Sequence, residues 1–216
     1  MAMHEIITGL LSYLSLLILL TFHEFAHAWV AWKCGDDTAR LQGRVSLNPV
    51  VHMDPLGTVL LPLLVIVLRA SGSGLADFII GWGKPVPVNP HNLRRPRLDD
   101  TLISMAGPAM NFVLAIGLLA VAKGFQLAHL DKMVPVMAQM TIISLLLCFF
   151  NLIPIPPLDG SHLIKNAIGM SDETYYHLSR FGFLAVILII QVPVVQRALS
   201  TAVALSFTLM AAVFRF

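Results

Sequence analysis

Charge is scarce in this chain, and cysteine is nearly absent. Of its 216 residues only 12% are Asp, Glu, Lys or Arg, against the roughly 25% of a typical soluble domain, while 57% are hydrophobic. No block is polar enough to fold as a separate water-soluble domain. Apolar runs recur at or near the roughly 20 residues that cross a bilayer. The formal charge of +2 lies in short connecting loops, where basic residues set orientation and meet anionic headgroups; it argues against a nucleic-acid surface. Cys34 and Cys148 are too few and too far apart for a disulfide framework or a C-x-x-C metal knuckle. Met1 to Glu5 lacks the basic stretch of a secretory leader and no small-residue cleavage site follows, so the first apolar run is expected to stay in the mature protein. These absences predict an all-α polytopic membrane protein of about four to six membrane segments, forming one domain over residues 1–216.

What is present is a run from Ile6 to Trp32 that contains His23-Glu24-Phe25-Ala26-His27. Lys33, Arg40 and Arg44 follow it, which puts this end in the cytoplasm. Asn48-Pro49 and Asp54-Pro55 mark a loop. Leu56–Leu68 is apolar but short, and Phe78–Val88, rich in Gly and Pro, reads as extended chain. Arg94, Arg95 and Arg97 again ask for the cytoplasm, so residues 56–83 are expected to enter and return on one side, as a small re-entrant or β-like element. Further spans are expected at 101–123, containing Ala106-Gly107-Pro108-Ala109-Met110-Asn111, and at 134–153, which ends in a proline-broken stretch reaching Asp159. Residues 165–180 are polar and read as a cytoplasmic loop or surface helix. Two apolar runs, 181–195 and 198–214, close the chain. The catalytic core is expected at about 6–165 and C-terminal membrane segments at about 181–214.

Ionisable residues inside a membrane helix are costly and are rarely idle. At 3.6 residues per turn His23 and His27 share a face with Glu24 beside them, the arrangement in which two imidazoles hold one zinc and a carboxylate serves its water. A catalytic zinc takes three protein ligands and leaves one position for water. Candidates for the third are Asp159, His162, Asp54, His52 and His91. Asp159 fits best by residue type and by depth, on the same cytoplasmic side as the histidines. Glu24 is then the general base of an amide hydrolysis. Asn111 and Asn151, inside or ending apolar spans, need hydrogen-bond partners. Asn111 is read either as an oxyanion donor or as interhelical glue. The competing class is a metal-ion transporter or metal-binding membrane protein, which would have no need of a base such as Glu24.

With His-Glu-Phe-Ala-His in the first span, Ala-Gly-Pro-Ala-Met-Asn in a middle one and Asn151-Leu152-Ile153-Pro154-Ile155-Pro156-Pro157-Leu158-Asp159-Gly160 after it, the chain resembles the site-2 protease family of intramembrane zinc metalloproteases. Gly81-Trp82-Gly83-Lys84-Pro85-Val86-Pro87-Val88-Asn89-Pro90 is similar to that family's loop. The resemblance covers about residues 15–170 and is to a minimal form without PDZ or CBS domains. It implies one zinc on His23, His27 and Asp159, Glu24 as base, and Asn111 in substrate or transition-state binding. It implies cleavage of the transmembrane segments of other membrane proteins, while the charge rule, applied to a bacterial inner membrane, puts the site toward the cytoplasm.

Overall fold

The computed structural model describes residues 2–72 and 81–216. Helix α1, Ala2–Cys34, has 33 residues and is mostly apolar, with His23, Glu24 and His27 the ionisable residues of its interior. A single helical turn, α2 (Thr38–Leu41), follows. A π-helical turn, Pro55–Leu60, then leads into α3 (Leu61–Ala70). Asp54 starts that turn because its Oδ1 accepts the otherwise orphaned N–H groups of Leu56 and Gly57, at 3.0 and 2.7 Å. Helix α4 (Pro96–Leu127) begins with a proline, whose missing N–H costs nothing at that position. Helix α5 is Val134–Asn151. The short helices α6 (Gly160–Ala167) and α7 (Asp172–Ser179) follow, and then α8 (Gly182–Ile190) and α9 (Pro193–Phe214).

Among the described residues four helices are long and apolar enough to cross a membrane: α1, α4, α5 with the turn before it, and α9. Nine-residue α8 is about 14 Å long at 1.5 Å per residue, less than half the roughly 30 Å hydrocarbon thickness. Of the two closing apolar runs, only the second is therefore of spanning length. The break falls at Gln191, before Pro193, because proline cannot donate to the preceding turn.

Helix α4 is central. It packs along both α1 and α5, and α9 lies against α5. Ala115, Leu119, Leu145, Val203 and Met210 form the buried cluster that joins α4, α5 and α9. Ala31, Leu93 and Ile103 form a second cluster that joins the end of α1 to the start of α4, and Val88 packs against it. Along α9, Leu205, Leu209 and Val213 stay exposed, the pattern of a helix whose outer face meets lipid tails rather than protein.

The expectation of extended chain at 78–88 falls partly on residues 78–80, outside the described ones. Over 81–89 the chain is neither helical nor part of a strand ladder. Two alternate amides nonetheless point the same way: Trp82 donates to the Gly57 carbonyl at 3.1 Å and Lys84 to that of His52 at 2.9 Å. After α3 the chain has thus returned to the point at which its apolar helix began, the path of a re-entrant element.

Candidate metal centre

Three side chains that are distant in sequence meet at one point. His23 and His27, one turn apart on α1, are 3% and 7% exposed, and their Nε2 atoms lie 3.0 Å apart. Asp159, at the entry to α6 where the proline-rich stretch ends, brings Oδ2 to 3.2 Å from His23 Nε2 and 3.4 Å from His27 Nε2. That oxygen is buried and makes no hydrogen bond among the described residues. Among the described residues these three form the one group of His, Cys, Asp or Glu side chains close enough to share a metal ion.

The proton inventory tests whether they suit one. His27 Nδ1 lies 2.6 Å from the Ile103 carbonyl, which can only accept, so Nδ1 carries the proton and a neutral His27 has its lone pair on Nε2. A lone pair and a buried carboxylate oxygen then converge with the His23 ring on the same small volume, an arrangement that repels itself unless a cation lies between. A tetrahedral zinc with bonds of about 2.0–2.1 Å separates its donors by roughly 3.3–3.4 Å. The observed 3.0–3.4 Å spacings are of that size, and two imidazoles with one carboxylate are a catalytic zinc donor set.

The backbone of α4 completes the cradle at Gly107. A Cβ there would collide with His27 Nε2 and would stand 2.5 Å from His23 Cε1 and 2.6 Å from His23 Nε2. Glu24, 9% exposed, makes no hydrogen bond among the described residues. Its Oε1 would be 3.3 Å from a Cβ added to Gly83, so the 81–84 segment runs directly past it. Asn111 is fully buried, with its carboxamide 3.1 Å from His23 Nδ1 and its own carbonyl accepting the Ser144 hydroxyl at 2.7 Å.

The remaining sequence candidates lie elsewhere. Asp54 caps the π-helical turn. His52 is buried and donates from Nε2 to the Ser46 carbonyl at 2.8 Å. His91 is exposed in the 90–92 turn. Asn151 donates to the Leu147 carbonyl of its own helix at 2.9 Å. His162 faces away from the cluster and donates to the Asp100 carboxylate, which also takes Asn166 at 2.8 Å and the Lys165 ammonium at 3.5 Å. Burial alone would lower the Lys165 pKa, but its hydrogen bond to Asp172 and the Asp100 charge outweigh burial and raise it. These contacts clamp α6 to the start of α4 and so fix where Asp159 emerges. Gly107 escaped the sequence reading as part of the site. A signal was present: it precedes Asn111 by one helical turn, on the same face.

The sequence pattern of peptidase family M50 matches residues 12–130 and 117–190. The chain is 40% identical over 172 residues to YwhC of Bacillus subtilis, covering 74% of this chain and 71% of that one. It is 30% identical over 198 residues to Rip2 of Mycolicibacterium smegmatis, covering 87% and 72%. Both relatives are named as zinc metalloproteases. No solved structure matches the chain.

Proposed function

The chain belongs to peptidase family M50, the site-2 proteases, and from that premise we propose that His23, His27 and Asp159 hold its zinc while Glu24 acts as general base. It is a zinc-dependent metallopeptidase of the membrane. The observation that carries the site assignment is the convergence of two imidazole nitrogens and one carboxylate oxygen within 3.4 Å beside the buried Glu24 carboxylate.

Zinc held by His23, His27 and Asp159 would supply Lewis acidity, bringing the pKa of a water toward neutral and polarising a carbonyl. Glu24, one residue from His23 on the same helix, takes the proton from that water and returns it to the leaving amine. The substrate is a transmembrane segment of another protein, and its amides are hidden in its own helical hydrogen bonds until it unwinds. The edge beside Gly83 is suited to hold it open. Trp82 and Lys84 direct their N–H groups toward Gly57 and His52, and in extended chain the intervening residue faces the other way. No hydrogen bond engages the Gly83 amide among the described residues. An unwound substrate pairing there by strand addition would lie against Glu24.

The single domain is read over 1–216, in a bacterial inner membrane with the site toward the cytoplasm. Support comes from the basic residues at the C-terminal end of α1 and the start of α4, ends that the Ala31, Leu93 and Ile103 cluster holds together. His27 lies seven residues before Cys34, the end of α1, which is about 10 Å from it.

Zinc content and cleavage of a transmembrane substrate, compared between the native chain and Glu24→Gln, test the reading. Equal zinc with cleavage by the native chain alone is expected. Native protein that binds no zinc, or a Glu24→Gln variant that still cleaves, refutes it.

A further inference from the structure

Asn111 lies within an apolar helix and is completely buried, yet one of its two polar side-chain atoms, Oδ1, has no partner among the described residues. Its other side-chain atom, built as the nitrogen Nδ2, is 3.1 Å from His23 Nδ1. The oxygen and nitrogen of a carboxamide have nearly the same size, so which one faces the ring is decided by hydrogen-bond chemistry rather than by shape. Nε2 of His23 faces Asp159 and His27. A neutral imidazole has one N–H and one lone pair, so an Nε2 that offers its lone pair to zinc leaves the proton on Nδ1. An amide NH2 against that N–H would set donor against donor. Turning the carboxamide over gives the Nδ1 proton an acceptor and ends the donor–donor opposition, while the NH2 takes the position that has no partner among the described residues.

Resting on the zinc assignment above, we infer that Asn111 is a positioning residue whose Oδ1 accepts the Nδ1 proton of His23 and fixes that ring for the metal. It does for His23 what the Ile103 carbonyl does for His27, so α4 orients both imidazoles of α1. The Ser144 hydroxyl, fully buried on α5, holds the Asn111 carbonyl at 2.7 Å and ties this support to a third helix. The imidazole ring stands between the carboxamide and the metal-facing nitrogen, so Asn111 does not reach the oxyanion of a bound substrate. Partners of this kind on a ligating histidine are commonly worth 10- to 100-fold in metal affinity.

The test is chelator competition for zinc on the full detergent-solubilised chain, native and with Asn111→Leu and Asn111→Asp, alongside thermal unfolding of the metal-free forms. Aspartate only accepts, so it retains the proposed bond, whereas leucine removes it. Expected are zinc binding weakened about 10- to 100-fold by leucine and kept within a few-fold by aspartate. Leucine that leaves zinc affinity unchanged while abolishing cleavage overturns the inference and restores a role on the substrate. Aspartate as damaging to zinc binding as leucine also overturns it. Should either variant fail to fold, histidine-selective nitrogen NMR of the zinc-loaded native chain decides. A protonated Nδ1 on His23 is expected, and a bare one refutes the inference. Native protein that binds no zinc removes the site assignment itself, a different failure from a native site that Asn111→Leu does not weaken.

Discussion

Replacing Gly107 with alanine sets two effects against each other, and their signs differ. In helix propensity the change is favourable by about 1 kcal/mol. Against that, the new methyl carbon would stand 2.5 and 2.6 Å from atoms of His23 and closer still to His27 Nε2, where ordinary contact begins near 3.4 Å. The atoms it meets belong to rings that are buried and held at their far nitrogens by Ile103 and Asn111, so they cannot swing aside. Helix α4 must withdraw by close to an ångström, and overpacking of this kind costs about 1–3 kcal/mol. The balance predicts a protein that folds with little change in helicity or melting temperature. Zinc sites, by contrast, tolerate displacements of only about 0.2 Å, and a misplacement near 1 Å costs on the order of 100-fold in rate. Gly107→Ala should therefore show native circular dichroism, reduced zinc by elemental analysis and cleavage down at least about 100-fold. A variant with native zinc content and native cleavage would refute the claim that the α4 backbone presses on the imidazoles.

Gly57→Ala tests the re-entrant element in the same way, because a Cβ at Gly57 would stand 2.5 Å from Trp82 Cε2 and would force apart the pairing of Trp82 with Gly57. Cleavage should fall while zinc content is unchanged, since no metal-facing side chain moves; lowered zinc would show that the element supports the metal site instead. Asp36, buried after α1, accepts from Asn89 N–H at 2.7 Å, from Asn92 at 2.9 Å and from Thr38. Burial alone would raise its pKa, but the hydrogen bonds from Thr38 and Asn92 outweigh burial and hold it low. A carboxyl depressed on folding adds stability that is complete above its unfolded pKa, about 3.9, and is lost as pH falls through the lower folded value. Asp36→Asn should lower the unfolding temperature at neutral pH, with the gap to the native chain closing under acid conditions below that value. A gap that does not change with pH counts against this reading.

The histidine pair was legible in the sequence because helical spacing alone puts residues 23 and 27 on one face, and the cost of burying them in lipid made idleness implausible. Asp159 was legible by depth, since a topology drawn from arginines and lysines puts it in the same leaflet. The part played by Gly107 was not. Small residues around Pro108 read as room for close helix contact, and only the approach of α1 shows that the missing Cβ of Gly107 is space for two rings. Asn111 could be recognised as needing a partner, and the structure puts His23 Nδ1 beside its carboxamide, a neighbour 88 residues away that helical spacing could not supply. The fate of the last two apolar runs depended on where a helix breaks near Pro193, a boundary that composition marks only loosely. His52 and His162 were the hardest to judge, since both have metal-binding chemistry and contact instead the nearby Ser46 carbonyl and the distant Asp100 carboxylate.

The order in which the chain is made bears on the converging trio. His23 and His27 enter the membrane with the first helix, while Asp159 is synthesised only after α4 and α5 and is held in place by the clamp between α6 and Asp100. During biosynthesis the imidazoles therefore wait as an incomplete pair, with two donors and no carboxylate. Chains halted before α6 would hold a metal weakly or not at all, so stable metal retention serves as a record that insertion and helix docking have finished. On the proposed ligand set, proteolytic competence would therefore arrive only with the last piece of the cradle.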